Sequence, residues 1–210
     1  MIITIDGPAG SGKSTIASIV AEKLGFTHFN SGSVFRAITA FLLENNSNLE
    51  LLKTAKIVVK LKNNVQHVSV NNKDYTPILR NNEISVNVAK FSSTDIVQSK
   101  AQECMKEFCN KHNVVVDGRG LGNSVFPNAE FKFYLDSSLK ERAKRRFNEE
   151  VLKNSNITLT EIENQIKERD ELDKNRKIAP LIVPKDAIVI DSTLLSIDKV
   201  AVELLKHIKA

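Results

Sequence analysis

The chain has 210 residues, of which 41% are apolar and 26% charged, with a net charge of +5. That is the length of one domain, with room for an insertion and for a core that needs no staples. The longest apolar runs are four residues, as at 187–190, too short for a membrane-spanning helix. Met1 leads straight into an apolar strand pattern, which leaves no space for a signal peptide. Cys104 and Cys109 lie five apart in a helical pattern and form no disulfide framework, so the chain reads as cytoplasmic and reduced. The charge is too modest to argue for nucleic acid as a partner.

In chain order, residues 2–5 read as a short strand running into a glycine loop. Residues 14–24 come next as a helix with Ile16, Ile19 and Val20 on one face and Gly25 as its C-cap. A strand near 27–29 precedes a helix from about 33 to 44, and 49–61 reads as another helical segment. Residues 66–70, the Asn71-Asn72 turn and 74–79 read as a hairpin. Helical pattern resumes at 83–89 and at 94–111. Strands are expected at 114–116 and 131–135, ending at Asp117 and Asp136. A basic helix at 139–152 and a charged one at 160–173 come after them. A last strand at 187–190 ends at Asp191, and 196–208 is the closing helix. Strands alternating with helices at these spacings predict an α/β fold with a parallel sheet covered on both faces. The stretch from about 65 to 89 breaks the alternation and reads as an insertion.

The basic residues divide into 22 Lys and 8 Arg, beside 20 Asn, a bias in which each surviving Arg and Gly is informative. Seven of the eight glycines fall in three short loops. The first, Gly7-Pro8-Ala9-Gly10-Ser11-Gly12-Lys13-Ser14-Thr15, fits G-x-x-x-x-G-K-[ST] between an expected strand and an expected helix. Its backbone N–H groups and the helix N-terminus make a phosphate cradle for ATP. Lys13 would reach the β- and γ-phosphates, and Ser14 Oγ would bind Mg²⁺.

Carboxyl ends of parallel strands are where ligands sit in open α/β sheets. Of the strand-ending acids, Asp117 is the candidate on the metal side because it abuts the second glycine loop. Asp136 and Asp191 read mainly as caps for the segments after their strands. The second loop, Asp117-Gly118-Arg119-Gly120-Leu121-Gly122, has G-x-G-x-G spacing rather than G-x-G-x-x-G and leads to Pro127, so it is not a dinucleotide fingerprint. It brings Arg119 and close backbone to a second phosphate. Base-recognition sequences of the N-K-x-D type are absent; Asp173-Lys174-Asn175 runs in the wrong order. A small kinase must hold two anionic substrates and neutralise the phosphoryl group in transit, and grouped arginines suit that need.

Several stretches together resemble the bacterial cytidylate kinase family. They are residues 7–15, Asn30-Ser31-Gly32-Ser33-Val34-Phe35-Arg36, Asp117-Gly118-Arg119, Val125-Phe126-Pro127 and Phe131-Lys132-Phe133-Tyr134-Leu135-Asp136. So too are Glu168-Arg169-Asp170, Asp173-Lys174-Asn175-Arg176, Ala179-Pro180-Leu181 and Asp191-Ser192-Thr193. The order and spacing hold over essentially the whole chain. The resemblance implies a three-layer P-loop nucleoside monophosphate kinase fold. Its core would be about 1–62, 99–141 and 160–210, its nucleotide-binding insertion about 63–98 and its lid about 142–159. It implies a cytoplasmic monomer that moves the γ-phosphoryl group of ATP to CMP or dCMP with Mg²⁺. By position, Lys13, Arg119, Arg142, Arg145 and Arg169 are the candidate catalytic residues. Arg36, Arg119 and Arg169 would hold the acceptor phosphate, Asp173 would accept from the sugar hydroxyls, and Ser31 and Arg176 would lie near the base. Arg142, Arg145 and Arg146 belong to the helix beside the lid, over the donor phosphates.

Five positions depart from the family pattern. Asn30 stands for Asp, Phe35 for Tyr, Gly120 for Asp, Ala89 for a serine near the sugar and Gln98 for an arginine near the base. Phosphate-handling groups are kept while groups that read sugar and base are thinned. Two other readings of the chain are a P-loop kinase with a relaxed or different acceptor and a nucleotide-binding module without significant turnover. A nucleic-acid-binding reading has only the basic charge behind it: Trp is absent and Tyr75 and Tyr134 are the two tyrosines.

Overall fold

The computed structural model describes residues 1–63, 65–152 and 157–209. The core is a five-stranded sheet whose strands are β1 (Ile2–Asp6), β2 (Thr27–Asn30), β6 (Val114–Gly118), β7 (Phe131–Asp136) and β8 (Ile188–Asp191). Their spatial order is β2-β6-β1-β7-β8, and every pair is parallel. β1 lies in the middle, and Ile3 and Ile5 are fully buried, as a strand covered on both faces requires.

One face is covered by α1 (Lys13–Leu24) and α7 (Ile197–Lys209), which pack Ile16, Val20, Val200 and Leu204 against Ile3, Ile5 and Phe133. The other is covered by α2 (Ser31–Glu44) and α4 (Asp95–Cys109), through Ile38, Leu42, Met105 and Phe108 against Phe29 and Val116. Each large side chain of this kind contributes about 2 kcal/mol on leaving water. A third, smaller cluster of Ala9, Ala143, Ile162 and Ile166 lies under the pair α5 (Leu139–Val151) and α6 (Leu159–Asn175), so the phosphate loop itself packs on that pair. The capping box of Thr158 with Glu161 starts α6. Gly25 caps α1 in the left-handed region, as its position predicts.

The expected helix at 49–61 is overturned. A 3₁₀ turn at Leu49–Lys53 gives way to strand β3 (Ile57–Lys62). The β-branched Ile57-Val58-Val59 run and the alternation Ile57, Val59, Leu61 favour a strand. β3 pairs antiparallel with β4 (Val65–Val70), and β4 with β5 (Lys73–Asp74), making a separate three-stranded sheet that joins the expected insertion to the end of the expected core segment before it. The hairpin's second arm is only two residues long. Pro77 cannot donate to a ladder, and Thr76–Ile78 turn as a 3₁₀ helix instead. α3 (Asn82–Ser92) then leads to α4 and back to the core. Of the expected lid, residues 153–156 lie outside the described residues. No helix among the described residues is long and apolar enough to cross a membrane.

Candidate active site

The phosphate loop bridges β1 and α1. Gly7, Gly10 and Gly12 all have positive φ. At Gly7 a Cβ would collide with the Leu135 carbonyl, so only glycine fits there. Lys13 folds back on its own loop: Nζ donates to Pro8 O at 2.6 Å and to Ser11 Oγ at 3.3 Å. Burial lowers its pKa to about 7, helped by the charge of Arg119 and opposed by Asp117, Asp173 and Asp6. The loop is held from outside by Asp170, which accepts from Ala9 N–H at 2.9 Å and from Arg142 Nη1 at 2.5 Å. Arg142 also donates to Ala9 O and Ser137 O. Arg145 is engaged with Glu141 and with Ser192 Oγ and O. Two of the three arginines expected beside the lid therefore meet protein acceptors: Arg142 braces the phosphate loop and Arg145 the turn after β8. The side chain of Thr15 is exposed.

At the end of β2 and β6, Asn30 and Asp117 are in register. Asn30 caps α2, accepting from Ser33 N–H at 3.0 Å, and its Nδ2 donates to Ser14 Oγ at 2.8 Å. Asp117 is buried and hydrogen-bonded to His28 Nε2 at 2.7 Å. A hydroxyl and a carboxylate at one sheet end suit a hard divalent cation that keeps most of its oxygen ligands from water and nucleotide phosphate. No group of three or more His, Cys, Asp or Glu is set to chelate a metal among the described residues.

Across from this end sits Asp173, buried on α6, with three guanidiniums around it. Arg119 Nε is 2.8 Å away, close enough for an ion pair although its N–H is not aimed along a hydrogen bond. Arg169 Nε is 3.0 Å and Arg176 Nη1 3.3 Å from the same carboxylate. Burial works to raise the Asp173 pKa, but the three cations hold it below the ordinary range. Arg169 is lowered to about 10 by burial and by the charge of Arg119. Arg176 also donates to Ala179 O and Arg119 O, closing the 176–181 turn over the second glycine loop. Arg36 reaches from α2 to the insertion, donating to Leu79 O and Ser85 Oγ. Its pKa is lowered by burial and then by Arg119, Arg146 and Arg80, so these guanidiniums share one region. An open groove of about 970 Å³ runs between Ser93–Asp95 and α6 and reaches Arg176.

The second glycine loop hangs on a residue that sequence reasoning misses. Asp6, fully buried at the end of β1, accepts from Leu121 N–H at 2.9 Å and Gly122 N–H at 2.8 Å. Burial raises its pKa against those hydrogen bonds and the charges of Lys13 and Arg176. A signal for it exists, since Asp6 ends its strand just as Asp117 does. Asp170 and His28 are missed as well. Asp136 and Asp191 accept from the nearby N–H groups of Ser137 and Thr193 but cap no helix: Ser138 caps α5, and α7 begins only at Ile197. Ser31 Oγ turns inward to Asp117 O at 2.6 Å. Gln98 is buried and donates to Ser92 O at 2.6 Å. Gly120 has φ +74°, and a Cβ there would lie 2.5 Å from Ala179 O.

In fold, the chain is similar to a shikimate kinase from Bacteroides thetaiotaomicron (TM-score 0.53, 14% identity, 100% and 99% of the two chains covered). It is also similar to the protein TT1252 from Thermus thermophilus (TM-score 0.51, 16% identity, 99% and 95% covered). In sequence it is 40% identical to a cytidylate kinase of Carboxydothermus hydrogenoformans, over 99% of this chain and 97% of that one. It is 41% identical to a cytidylate kinase of Fusobacterium nucleatum, over 95% and 93%. The profile of the cytidylate kinase family matches residues 3–210. With the phosphate loop and the clustered arginines set on such a sheet, the chain belongs to the cytidylate kinase family and is a nucleoside monophosphate kinase.

Proposed function

We propose that this chain transfers the γ-phosphoryl group of ATP to CMP or dCMP, giving ADP and CDP or dCDP. The observation that carries the reading is the meeting of two anion sites. Lys13, on the phosphate loop, lies within electrostatic reach of Arg119 and Asp173, at the centre of the arginine cluster. Gly7, Pro8 and Ala9 shape the loop, Pro8 having no N–H and Ala9 giving its own to Asp170; the backbone of Gly10, Ser11, Gly12 and Thr15 cradles the donor phosphates, and Lys13 turns from Pro8 O to the transferring group. Arg36, Arg119 and Arg169 take the acceptor phosphate, Asp173 and Arg176 the sugar side, and Ser31 supports the base side by bracing the Asp117 turn. Arg142 and Arg145 hold the loop and the β8 turn that frame the donor. Ser14 and Asp117 would hold Mg²⁺, which offsets charge on the donor phosphates when bound. No side chain forms a covalent intermediate. Positioning and charge stabilisation carry the step, with the insertion and the lid closing over the acceptor.

Base discrimination is weaker than the full family set would give. Gly120 presents no side chain because backbone of Ala179 and Pro180 fills that space, and Gln98 is turned inward. A missing polar partner removes about 1–3 kcal/mol of discrimination per contact. The test is ADP formation from Mg·ATP with CMP, dCMP, UMP, AMP and GMP offered separately. CMP and dCMP are expected to lead by a narrowed margin. A wide margin would end the claim about discrimination, and no turnover with any of the five would end the kinase reading for these acceptors.

A further inference from the structure

β2 is an edge strand, and its outer side at Asn30 is met by a side chain in place of a strand. Gln66, on β4 of the insertion, accepts from Asn30 N–H through Oε1 at 2.8 Å and donates to Asn30 O through Nε2 at 3.1 Å. This two-point contact fixes the carboxamide's orientation, because each end meets the one backbone group it can pair with. The Asn30 side chain is fixed in the same way. Its Oδ1 faces Ser33 N–H, so Nδ2 faces Ser14 Oγ and must donate to it. The Ser14 hydroxyl is then an acceptor toward Asn30 and keeps its proton and one lone pair for what lies in the phosphate loop. Three residues thus link the insertion to the loop: Gln66, Asn30 and Ser14.

We propose that Gln66 is a positioning residue for the donor site, acting through Asn30 to set the direction of the Ser14 hydroxyl. Gln66 sits on the insertion and its amide is used up on Asn30, yet it governs affinity for metal-bound ATP. The proposal rests on the reading of Ser14 as a group at the metal end of ATP. It gives the insertion a direct hold on the donor site as well as on the acceptor.

The test measures ATP binding by calorimetry without acceptor, with Mg²⁺ and without it. Gln66→Leu removes both hydrogen bonds and keeps a strand-compatible side chain. It is expected to raise the Kd for Mg·ATP threefold or more and to leave the Kd for metal-free ATP unchanged, a split that general loosening of the fold does not produce. Asn30→Ser keeps a helix cap but is too short to reach Ser14, and should reproduce the effect. In that background Gln66→Leu should add nothing. An unchanged Kd for Mg·ATP in Gln66→Leu, an equal loss without metal, or full additivity with Asn30→Ser overturns the relay. Ser14→Ala separates the two levels: unchanged Mg·ATP binding there overturns the reading of Ser14 itself.

Discussion

The donor and acceptor halves of the site are built on opposite plans. The donor half is contiguous: nine residues, 7–15, between one strand and one helix, with the ligand groups mostly backbone. The acceptor half is assembled from α2, the second glycine loop and α6, and its parts are held together by charge. Arg119, Arg169 and Arg176 converge on one buried carboxylate, Asp173. Three cations at one place repel each other in the empty protein, and Asp173 offsets that repulsion before any phosphate arrives. Backbone N–H groups are uncharged and cost little to bring together, so a single outside carboxylate, Asp170 on Ala9 N–H, is enough to brace them. The donor half is thus preformed by chain geometry and the acceptor half by a counter-ion.

The sharpest way to break this comparison is at Lys13, where a side chain matters to the donor half. Lys13→Ala is expected to lower kcat by ~10²–10³, or about 3–4 kcal/mol at the transition state, with an unchanged fold by circular dichroism. Near-normal turnover would remove the donor half from the chemistry. Next in size is Asp173→Asn, which leaves three guanidiniums without their anion. Chemical denaturation should show a loss of about 3 kcal/mol. Steady-state kinetics should show a raised KM for CMP at a nearly constant KM for Mg·ATP. Equal rises in both would mean that the halves are not built separately.

A smaller effect is expected at Gly120. Gly120→Ala forces a left-handed φ on a residue with a Cβ, at about 1–2 kcal/mol, and pushes against Ala179 O. The 176–181 turn must shift, so KM for the acceptor rises and the melting temperature falls. A silent substitution would show that this turn is not packed as described. A further prediction concerns pH. Folded Lys13 titrates near 7, well below an ordinary lysine, so above pH 7 the unfolded chain binds more protons at this site. Stability relative to Lys13→Met should therefore rise with pH from about 7 toward 10, by up to about 1.4 kcal/mol per pH unit. Urea midpoints at pH 6.5, 7.5 and 8.5 read the difference directly, and a flat difference would mean that Lys13 is an ordinary solvated lysine.

Legibility in the sequence divides along the same line. The phosphate loop and its flanking elements are visible because local turn geometry demands glycine at fixed spacing. The parallel sheet is visible because strands such as Val114-Val115-Val116 are apolar on both faces. The helix expected at 49–61 fails because an amphipathic strand and a short helix share the same apolar residues over so few positions. Arg119, Arg169 and Asp173 can be named from resemblance, yet their convergence on one carboxylate cannot be read, because Arg119 meets Asp173 across more than fifty residues of chain. Asp6 and Asp170 escape notice for a related reason. Each looks like an ordinary strand-end or helix acid until the distant N–H groups it receives are known.

The grip of Asp170 on Ala9 spans 161 residues. During synthesis the phosphate loop leaves the ribosome 161 residues ahead of the carboxylate that holds it. A nascent or truncated chain ending before α6 carries the entire nucleotide-binding signature and lacks its outer brace. Such long-range closure raises contact order and slows folding. Donor binding therefore becomes a late event in the life of the chain, and a fragment bearing the signature alone would be a poor trap for ATP.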